Sequence, residues 1–330
     1  MKIGITFDLK DAAQAVPADA PDDLYEEFDS PVTVEAIAQV LRGLGHEVIK
    51  LGNGPAMLRR LLDAPPDFVF NFAEGHGVSR SREARVPGVL EMLDIPFTGS
   101  DPLTLAVTLD KACAKTLVAA AGVPVPQGVV VQPDEPSANV WPHNTWPVLV
   151  KPAWEGSSKG IRHRCLVKAA NELPGVIEQT RRDYRQPVLV EEFIQGEELT
   201  VGVIGNAPPQ IIGTMRVLPQ QRTEHFIYSL EVKRDYLRQV RYECPAKLPS
   251  ATLAAVEQAA LVAYRALGCR DISRVDFRLR DGIPYFLEVN PLPGLNPETS
   301  DLVILARGCG WSYEKLIGGI LDAAVKRVKG

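Results

Sequence analysis

The stretch RVDFRLRDGIPYFLEVNPLPG, residues 274–294, ties this chain to a hairpin that carries chemistry. Two apolar runs flank Asp281-Gly282, and an Asp-Gly pair supplies the positive backbone angles of a two-residue hairpin turn. Asp276, Glu288 and Asn290 interrupt those runs. Side chains two apart on a strand share a face. Glu288 and Asn290 therefore point together, and the hairpin can bring Asp276 opposite them. Two carboxylates and an amide oxygen make a hard, all-oxygen set of the kind Mg²⁺ accepts, with phosphate oxygens and water completing its shell. On these three residues alone, a solvated strand face is an equally good reading.

Two further stretches bear on that choice. In VLVKPAWEGSSKG, Lys151 ends an apolar run and a Gly/Ser-rich loop follows. Such a loop exposes backbone N–H groups that can cradle phosphate, and the lysine adds a point charge. In PVLVEEFIQGEELTV, Glu191 and Glu192 follow an apolar strand, and Glu197 and Glu198 follow a glycine. A strand of this kind can present backbone groups to an adenine and a carboxylate to ribose hydroxyls. Taken singly, the lysine and the glutamates read as surface residues.

Around these motifs the first hundred residues alternate strand and helix, the pattern of a parallel sheet with crossover helices. KIGITF, HEVIKLG and DFVFNFA read as strands, PVTVEAIAQVLRGLG, PAMLRRLLDA and VPGVLEMLDI as helices, and PFTGS as a strand end. DAAQAVPADAPDDLYEEF reads as a surface loop. PLTLAVTLDKACAKTLVAAAG is one helical pattern, and the strands lengthen after Gly196. LPQQRTEHFIYSLEVKRDYLRQVRYECP reads as a mobile loop. A length of 330 residues calls for two or three domains. A net charge of −5 with no basic run gives no electrostatic support for a nucleic-acid or membrane-surface partner. The five cysteines are scattered without metal-ligand spacing, and no stretch has the length of a signal peptide or membrane span. A cytoplasmic protein with reduced thiols is the expectation. No G-x-G-x-x-G follows the first strand, which argues against a dinucleotide-dependent dehydrogenase.

Together LDKACAKTLVAAAGVPVP, VLVKPAWEGSSKG, VEEFIQGEELTVGV, RVDFRL and FLEVNPLPG stand in an order and spacing that resemble the ATP-grasp ligases, in particular the D-alanine–D-alanine ligase branch. The resemblance runs over nearly the whole chain. It implies an α/β and α+β architecture: a Rossmann-like domain at 1–100, a central ATP-grasp subdomain at 101–195 and a C-terminal subdomain with the metal site at 196–330. It implies ATP-dependent amide formation through an acyl phosphate, with ATP, Mg²⁺ (two ions, with Mn²⁺ as an alternative), small amino-acid or carboxylate substrates and a homodimer. In residue terms, Lys111, Lys151 and Lys233 match lysines that contact ATP. Glu191 and Ile194 match the adenine hinge, and Glu198 the ribose carboxylate. Asp276, Glu288 and Asn290 match metal ligands. Arg274 and the Gly294 N–H match groups that stabilise the tetrahedral intermediate, and Ser157 a serine near the first substrate.

Departures from that family pattern gather where the amino acids would bind. Glu26 falls at the glutamate that holds the substrate amine, with Glu27 adjacent. Glu74 stands where the family has histidine, unless His76 shifts into the place. Arg234 replaces a tyrosine after Lys233, for which Tyr228 or Tyr236 are candidates to substitute. NPLPGLNPETS is one residue longer than the family's tail, leaving Thr299 or Ser300 for the second substrate's carboxylate. The expectation is a ligase that joins amino acids other than two D-alanines. The alternatives are D-alanine–D-alanine synthesis for peptidoglycan and a nucleotide-binding regulator without turnover.

Overall fold

Strand–helix alternation at the N-terminus produces the expected parallel sheet. The computed structural model of the chain describes residues 1–10, 17, 20–221 and 223–329; residues 11–16, 18 and 19 of the stretch read as a surface loop between strand one and the first helix lie outside them. β1 (Lys2–Thr6), α1 (Pro31–Gly43), β2 (Glu47–Lys50), α2 (Gly54–Asp63), β3 (Phe68–Asn71) and α3 (Arg85–Met92) follow in order, with the strands arranged β2-β1-β3. The Ser30 hydroxyl accepts the Thr33 N–H and proline opens α1, a standard start signal. The expected strand at PFTGS is reduced to a single bridge between Phe97 and Val69.

The next helical pattern is two helices, α4 (Pro102–Leu109) and α5 (Lys111–Ala120). Asp110 is extended between them, and its carboxylate accepts the Cys113 N–H to cap α5. An internal cap thus competes with continued helix, and it turns Lys111 toward the loop after β5. A four-stranded antiparallel sheet comes next: β4 (Gly128–Val131), β5 (Val148–Pro152), β6 (Leu166–Val167) and, after α6 (Leu173–Tyr184), β7 (Val188–Glu192), in the order β4-β7-β5-β6. Val150, Val167, Ile177, Val188 and Val190 form its core against α6.

A five-stranded antiparallel sheet fills the rest: β8 (Glu197–Ile204), β9 (Gln210–Pro219), α7 (Leu230–Arg234), α8 (Tyr236–Gln239), β10 (Val240–Glu243), α9 (Ser250–Ala266), β11 (Ile272–Arg280) and β12 (Ile283–Asn290), ordered β10-β9-β8-β11-β12. The stretch 218–245 is therefore not a loop throughout. It holds two short helices and the edge strand β10, whose register on β9 runs from Val240↔Pro219 to Glu243↔Arg216. Polar residues hid this strand, because an edge strand needs little apolar content. α9 and α5 pack one face of the sheet, where Ala114, Val118, Ala260 and Ala263 meet Val201, Phe277 and Phe286. Phe277 and Phe286 oppose each other across the hairpin, edge to face at 6.0 Å, a pair worth about 1 kcal/mol beyond its burial. The chain closes with α10 (Asp301–Gly308) and α11 (Tyr313–Lys329). Leu316, Ile317 and Ile320 join Ile37 and Leu41 of α1 and Ile204 and Met215 of the five-stranded sheet in one core, so the last helix ties the parallel-sheet layer to that sheet.

Candidate active site

The hairpin turns at Asp281 (φ 54°) and Gly282 (φ 79°), both left-handed as the Asp-Gly pair requires. Asp276 pairs with Glu288 and Arg274 with Asn290 across the ladder. The register shifts between Asp276 and Phe277, leaving Leu287 as an extra residue on β12. Such a bulge re-aims side chains, and here both Leu287 and Glu288 face the cleft between the two antiparallel sheets. Polar residues interrupt these strands because that face meets a cavity, not the core.

Asp276 accepts from Arg274 (Nη2 2.8 Å, Nε 3.1 Å), Thr200 Oγ1 (2.9 Å) and Asn290 Nδ2 (3.2 Å). Burial pushes its carboxyl up against the pull of Arg274. Glu288 goes the other way. Burial alone would raise it, but Lys111, whose Nζ donates at 2.7 Å, and Lys151 hold it well below the usual range. Among the described residues no three His, Cys, Asp or Glu side chains gather as a ready metal cluster. The donors here are two carboxylates and an amide on one face, an oxygen set that fits a hard divalent cation only when phosphate oxygens share it. The three residues fit such an ion once a nucleotide lies in the cleft.

Across the cleft, Lys151 Nζ lies 2.5 Å from Glu191 Oε1, and Lys115 Nζ lies 3.2 Å from its Oε2. All three are buried. Glu191 thus serves as the counter-ion of two lysines, and burial, partly offset by Glu191, pushes Lys115 down to about 8. Lys115 escaped the sequence reading, although it sits one helical turn after Lys111, where side chains share a face. Arg278 was also missed. Its guanidinium binds Glu198 (3.0 Å) and the carbonyls of Ile194 (2.6 Å) and Gly196 (2.7 Å), fixing the segment that follows β7. An arginine in a strand gives no sequence sign that it turns inward.

In the loop after β5, Ser157 (φ 50°) and Ser158 (φ 59°) are both left-handed. Two consecutive non-glycine residues in that region are strained and mark a functional site. Ser158, not Ser157, reaches the segment before α7, donating to the Tyr228 carbonyl at 3.1 Å. The Tyr228 hydroxyl binds Asp301 at 3.0 Å and Tyr242 at 2.5 Å, and Tyr228 and Tyr236 line the same cavity as Ser157. Asp301 also lies 3.7 Å from Arg274 and 3.9 Å from Lys233. Sequence gave no sign of Asp301, since an acid at a helix start reads as dipole complement.

Three cavities meet at this centre. The first lies between the sheets and is lined by Lys151, Glu191, Ile194, Glu198, Lys233 and Asp276. The second is lined by Glu74, Glu83, Lys111, Ser157, Asn290 and Gly294. The third is lined by Glu26, Ser157, Lys233, Arg234, Gly294, Thr299 and Ser300. Among the described residues, Arg274 alone borders all three. Burial would disfavour its charge, yet Asp276 and Asp301 hold it protonated. A Cβ on Gly294 would sit 2.8 Å from Ser300 Oγ, so a larger residue there would have to displace that hydroxyl.

The uncertain substrate residues separate clearly. Glu26 faces the third cavity and accepts from Arg234 (2.8 Å), whereas Glu27 is buried against Arg82 (2.6 Å) and the Gly156 N–H (2.6 Å). Glu74 lines the second cavity, while His76 turns outward to Asp8 at 2.7 Å. Arg234 also pairs with Asp22 at 2.6 Å, so α7 is fastened to the first domain. Ser300 Oγ accepts the Asn296 N–H at 2.9 Å, and Thr299 is exposed.

Two antiparallel sheets enclose the cleft, with Lys151 and Glu191 on one and Asp276 and Glu288 on the other, an arrangement that matches an ATP-grasp fold. A family model for the C-terminal domain of D-alanine–D-alanine ligases matches residues 117–322. A D-alanine–D-alanine ligase of Gluconobacter oxydans is 36% identical over 304 residues, covering 90% of this chain and 95% of its own. The protein y4sG of Sinorhizobium fredii, described as uncharacterised, is 34% identical over 307 residues, 90% of this chain and 88% of its own. The fold matches the crystal structure of a Bacillus anthracis D-alanine–D-alanine ligase complexed with ATP at a TM-score of 0.74 over the full length of both chains, with 23% identity. It matches the VanG D-Ala:D-Ser ligase of Enterococcus faecalis at 0.73, 23% identity, over 98% and 99% of the two chains. The chain belongs to the D-alanine–D-alanine ligase family.

Proposed function

We propose that this chain is an ATP-dependent carboxylate–amine ligase that forms a dipeptide-type amide between amino acids through an acyl phosphate. The observation that carries the reading is Arg274, which borders all three cavities. ATP occupies the first cavity, with Lys151 and Lys233 on its wall for the phosphates, the Ile194 segment for the base, and Lys111 on the adjoining second cavity. The carboxylic acid occupies the second. Its carboxylate oxygen attacks the γ-phosphorus, the bond to the β-phosphate oxygen breaks, and ADP departs. The amine in the third cavity then attacks the acyl carbon. Negative charge on the carbonyl oxygen is met by Arg274 and the Gly294 N–H, preorganised donors of the kind that contribute most in such reactions. Phosphate leaves, the nitrogen loses its proton, and the amide remains. No side-chain nucleophile is needed; positioning and charge do the catalysis.

A divalent cation held by Asp276, Glu288 and Asn290 would offset the phosphate charge when nucleotide is bound. Mg²⁺ is the expected ion, two of them per site by family resemblance, with Mn²⁺ as an alternative. Arg234, fastened to Asp22 and Glu26, and Lys233 beside it hold α7 over the site, where it keeps water from the acyl phosphate. No described helix is long and apolar enough to cross a membrane. A cytoplasmic location and a homodimer belong to the same reading. Glu74 at the acid cavity supports substrates other than two D-alanines. The Gluconobacter oxydans relative, named a D-alanine–D-alanine ligase, favours the second reading. ADP and phosphate release with Mg-ATP across pairs of D- and L-amino acids, with product masses, separates them. Dipeptide from D-alanine alone supports the second; product only from other pairs supports the first; no release with any pair sinks both.

A further inference from the structure

Resting on the ligase reading, the charge in the second cavity points to the class of acid it activates. Four carboxylates border that cavity: Glu74, Glu83, Glu155 and Glu288. Glu155 is matched by Arg82 (3.0 Å) and Lys159 (2.8 Å), and Glu288 by Lys111 (2.7 Å). Glu74 and Glu83 have no hydrogen bond or ion pair among the described residues. Glu83 is only 7% exposed, and what remains accessible opens onto the cavity. The nearest cation, Arg82, is committed to Glu27 at 2.6 Å and to the Trp154 carbonyl at 2.7 Å as well as to Glu155.

A buried carboxylate without a partner is costly, and proteins retain such groups where a ligand supplies the missing charge. One α-ammonium satisfies one carboxylate. Two carboxyls without partners on the wall of one cavity leave room for two ammonium groups, each of which would draw its carboxyl into the charged form. The same cavity is lined by Arg274 and Gly294, where the ligase reading puts the reacting carboxylate. We infer that the acid activated here is a basic amino acid, a monocarboxylate with a second amine, whose two ammonium groups are held by Glu74 and Glu83. The chemistry of the step is unchanged: a carboxylate oxygen takes the γ-phosphoryl group and ADP leaves. What differs is selection, since a site built for a charged hydrogen bond rejects analogues that lack it.

Hydroxylamine, a small nucleophile that captures acyl phosphates as hydroxamates, replaces the unidentified amine in the test. Ornithine, lysine and 2,4-diaminobutyrate, each as D and L forms, are compared with alanine and with norvaline, which is ornithine without its terminal amine. The expected result is hydroxamate and ADP from a basic acid with kcat/KM at least about tenfold above norvaline, the discrimination of one charged hydrogen bond. Glu83→Gln and Glu74→Gln are each expected to raise KM for the basic acid about tenfold or more while KM for ATP stays within about twofold. Titration of ornithine into protein saturated with a non-hydrolysable ATP analogue gives the same ranking without turnover. Equal or better use of alanine and norvaline, unmoved by either glutamine variant, overturns the inference and leaves the ligase reading standing. No hydroxamate from any acid, by folded protein that still binds Mg-ATP, overturns both.

Discussion

The nucleotide side and the acid side of the site differ in how their charge is settled. Around the first cavity all six carboxylates have a cation: Glu191 with Lys151 and Lys115, Glu192 with Arg280, Glu198 with Arg278, Asp276 with Arg274, Glu288 with Lys111, and Asp301 with Arg274 and Lys233. Around the second, Glu74 and Glu83 have no ion pair among the described residues. ATP brings the same polyphosphate to every enzyme that uses it, so its site can be settled in advance, with lysines held in place by buried counter-ions. The acid is what distinguishes one ligase from another, and its cavity is left with charge for the substrate to complete.

The largest test of that contrast removes a paired carboxylate at the reacting centre. Glu288→Gln is expected to lower turnover by at least about a thousandfold, while circular dichroism and Tm show a folded protein; wild-type rates of ADP release would remove Glu288 from the metal site. Next comes a matched pair of variants whose stabilities should move in opposite directions. Burial would raise the Glu191 carboxyl, but Lys115 and Lys151 pull it below its usual value. Its stabilising contribution is therefore present above the unfolded value of about 4.3 and is lost as pH falls through the folded one. Glu191→Gln should destabilise at pH 7 by about 3–5 kcal/mol, with the loss shrinking below pH 4 or so. Glu83 is pushed up to about 8 by burial, against Arg82. A raised carboxyl contributes stability fully below about pH 4.3 and loses it as pH climbs to the folded value. Glu83→Gln should therefore gain on the wild type through that window, by about 1–2 kcal/mol at pH 8. Denaturant unfolding at several pH values reads both, and the same sign for the two variants would erase the contrast. Lys151→Ala should raise KM for ATP at least about tenfold; an unchanged KM in steady-state assays would take that lysine away from the phosphates.

The same contrast runs through what the sequence disclosed. The hairpin of residues 274–294 was legible because Asp-Gly forces a turn and because apolar strands make an intruding carboxylate conspicuous. Lys151, Asp276 and Glu288 line the first cavity, and Lys111, Glu288 and Asn290 the second. Elsewhere the residue types were ambiguous. Glu26 and Glu27 are adjacent, and only the fold shows that one faces a cavity and the other is buried against Arg82. Glu83 and Arg82 lie in GVSRSREARV, a polar run that reads as a surface loop. Arg82 is buried by its contacts with the Trp154 carbonyl and Glu155, more than seventy residues away, which no local pattern encodes. β10 and the helices α7 and α8 were hidden for a similar reason, being short, polar and held by β9 and the first domain.

The smallest effect expected belongs to the fastening of α7. Arg234 reaches Glu26 at 2.8 Å and Asp22 at 2.6 Å, but its side chain is 37% exposed and that of Asp22 is 64% exposed. Exposed pairs contribute about 0.2–1 kcal/mol each and are screened by salt. Arg234→Ala should accordingly raise KM for the amine substrate about threefold to tenfold at low ionic strength. The wild type should drift toward the variant as salt is added, because the Debye length falls to about 8 Å at physiological strength. KM for ATP decides what the fastening positions. If it stays constant, Arg234 shapes only the third cavity, with Glu26 as its partner. If it rises in step, α7 moves as a unit and carries Lys233 away from the nucleotide, which would make the two sides of the site depend on one clasp. If neither constant responds to the substitution or to salt, the contacts with Asp22 and Glu26 do not hold α7 over the site at all.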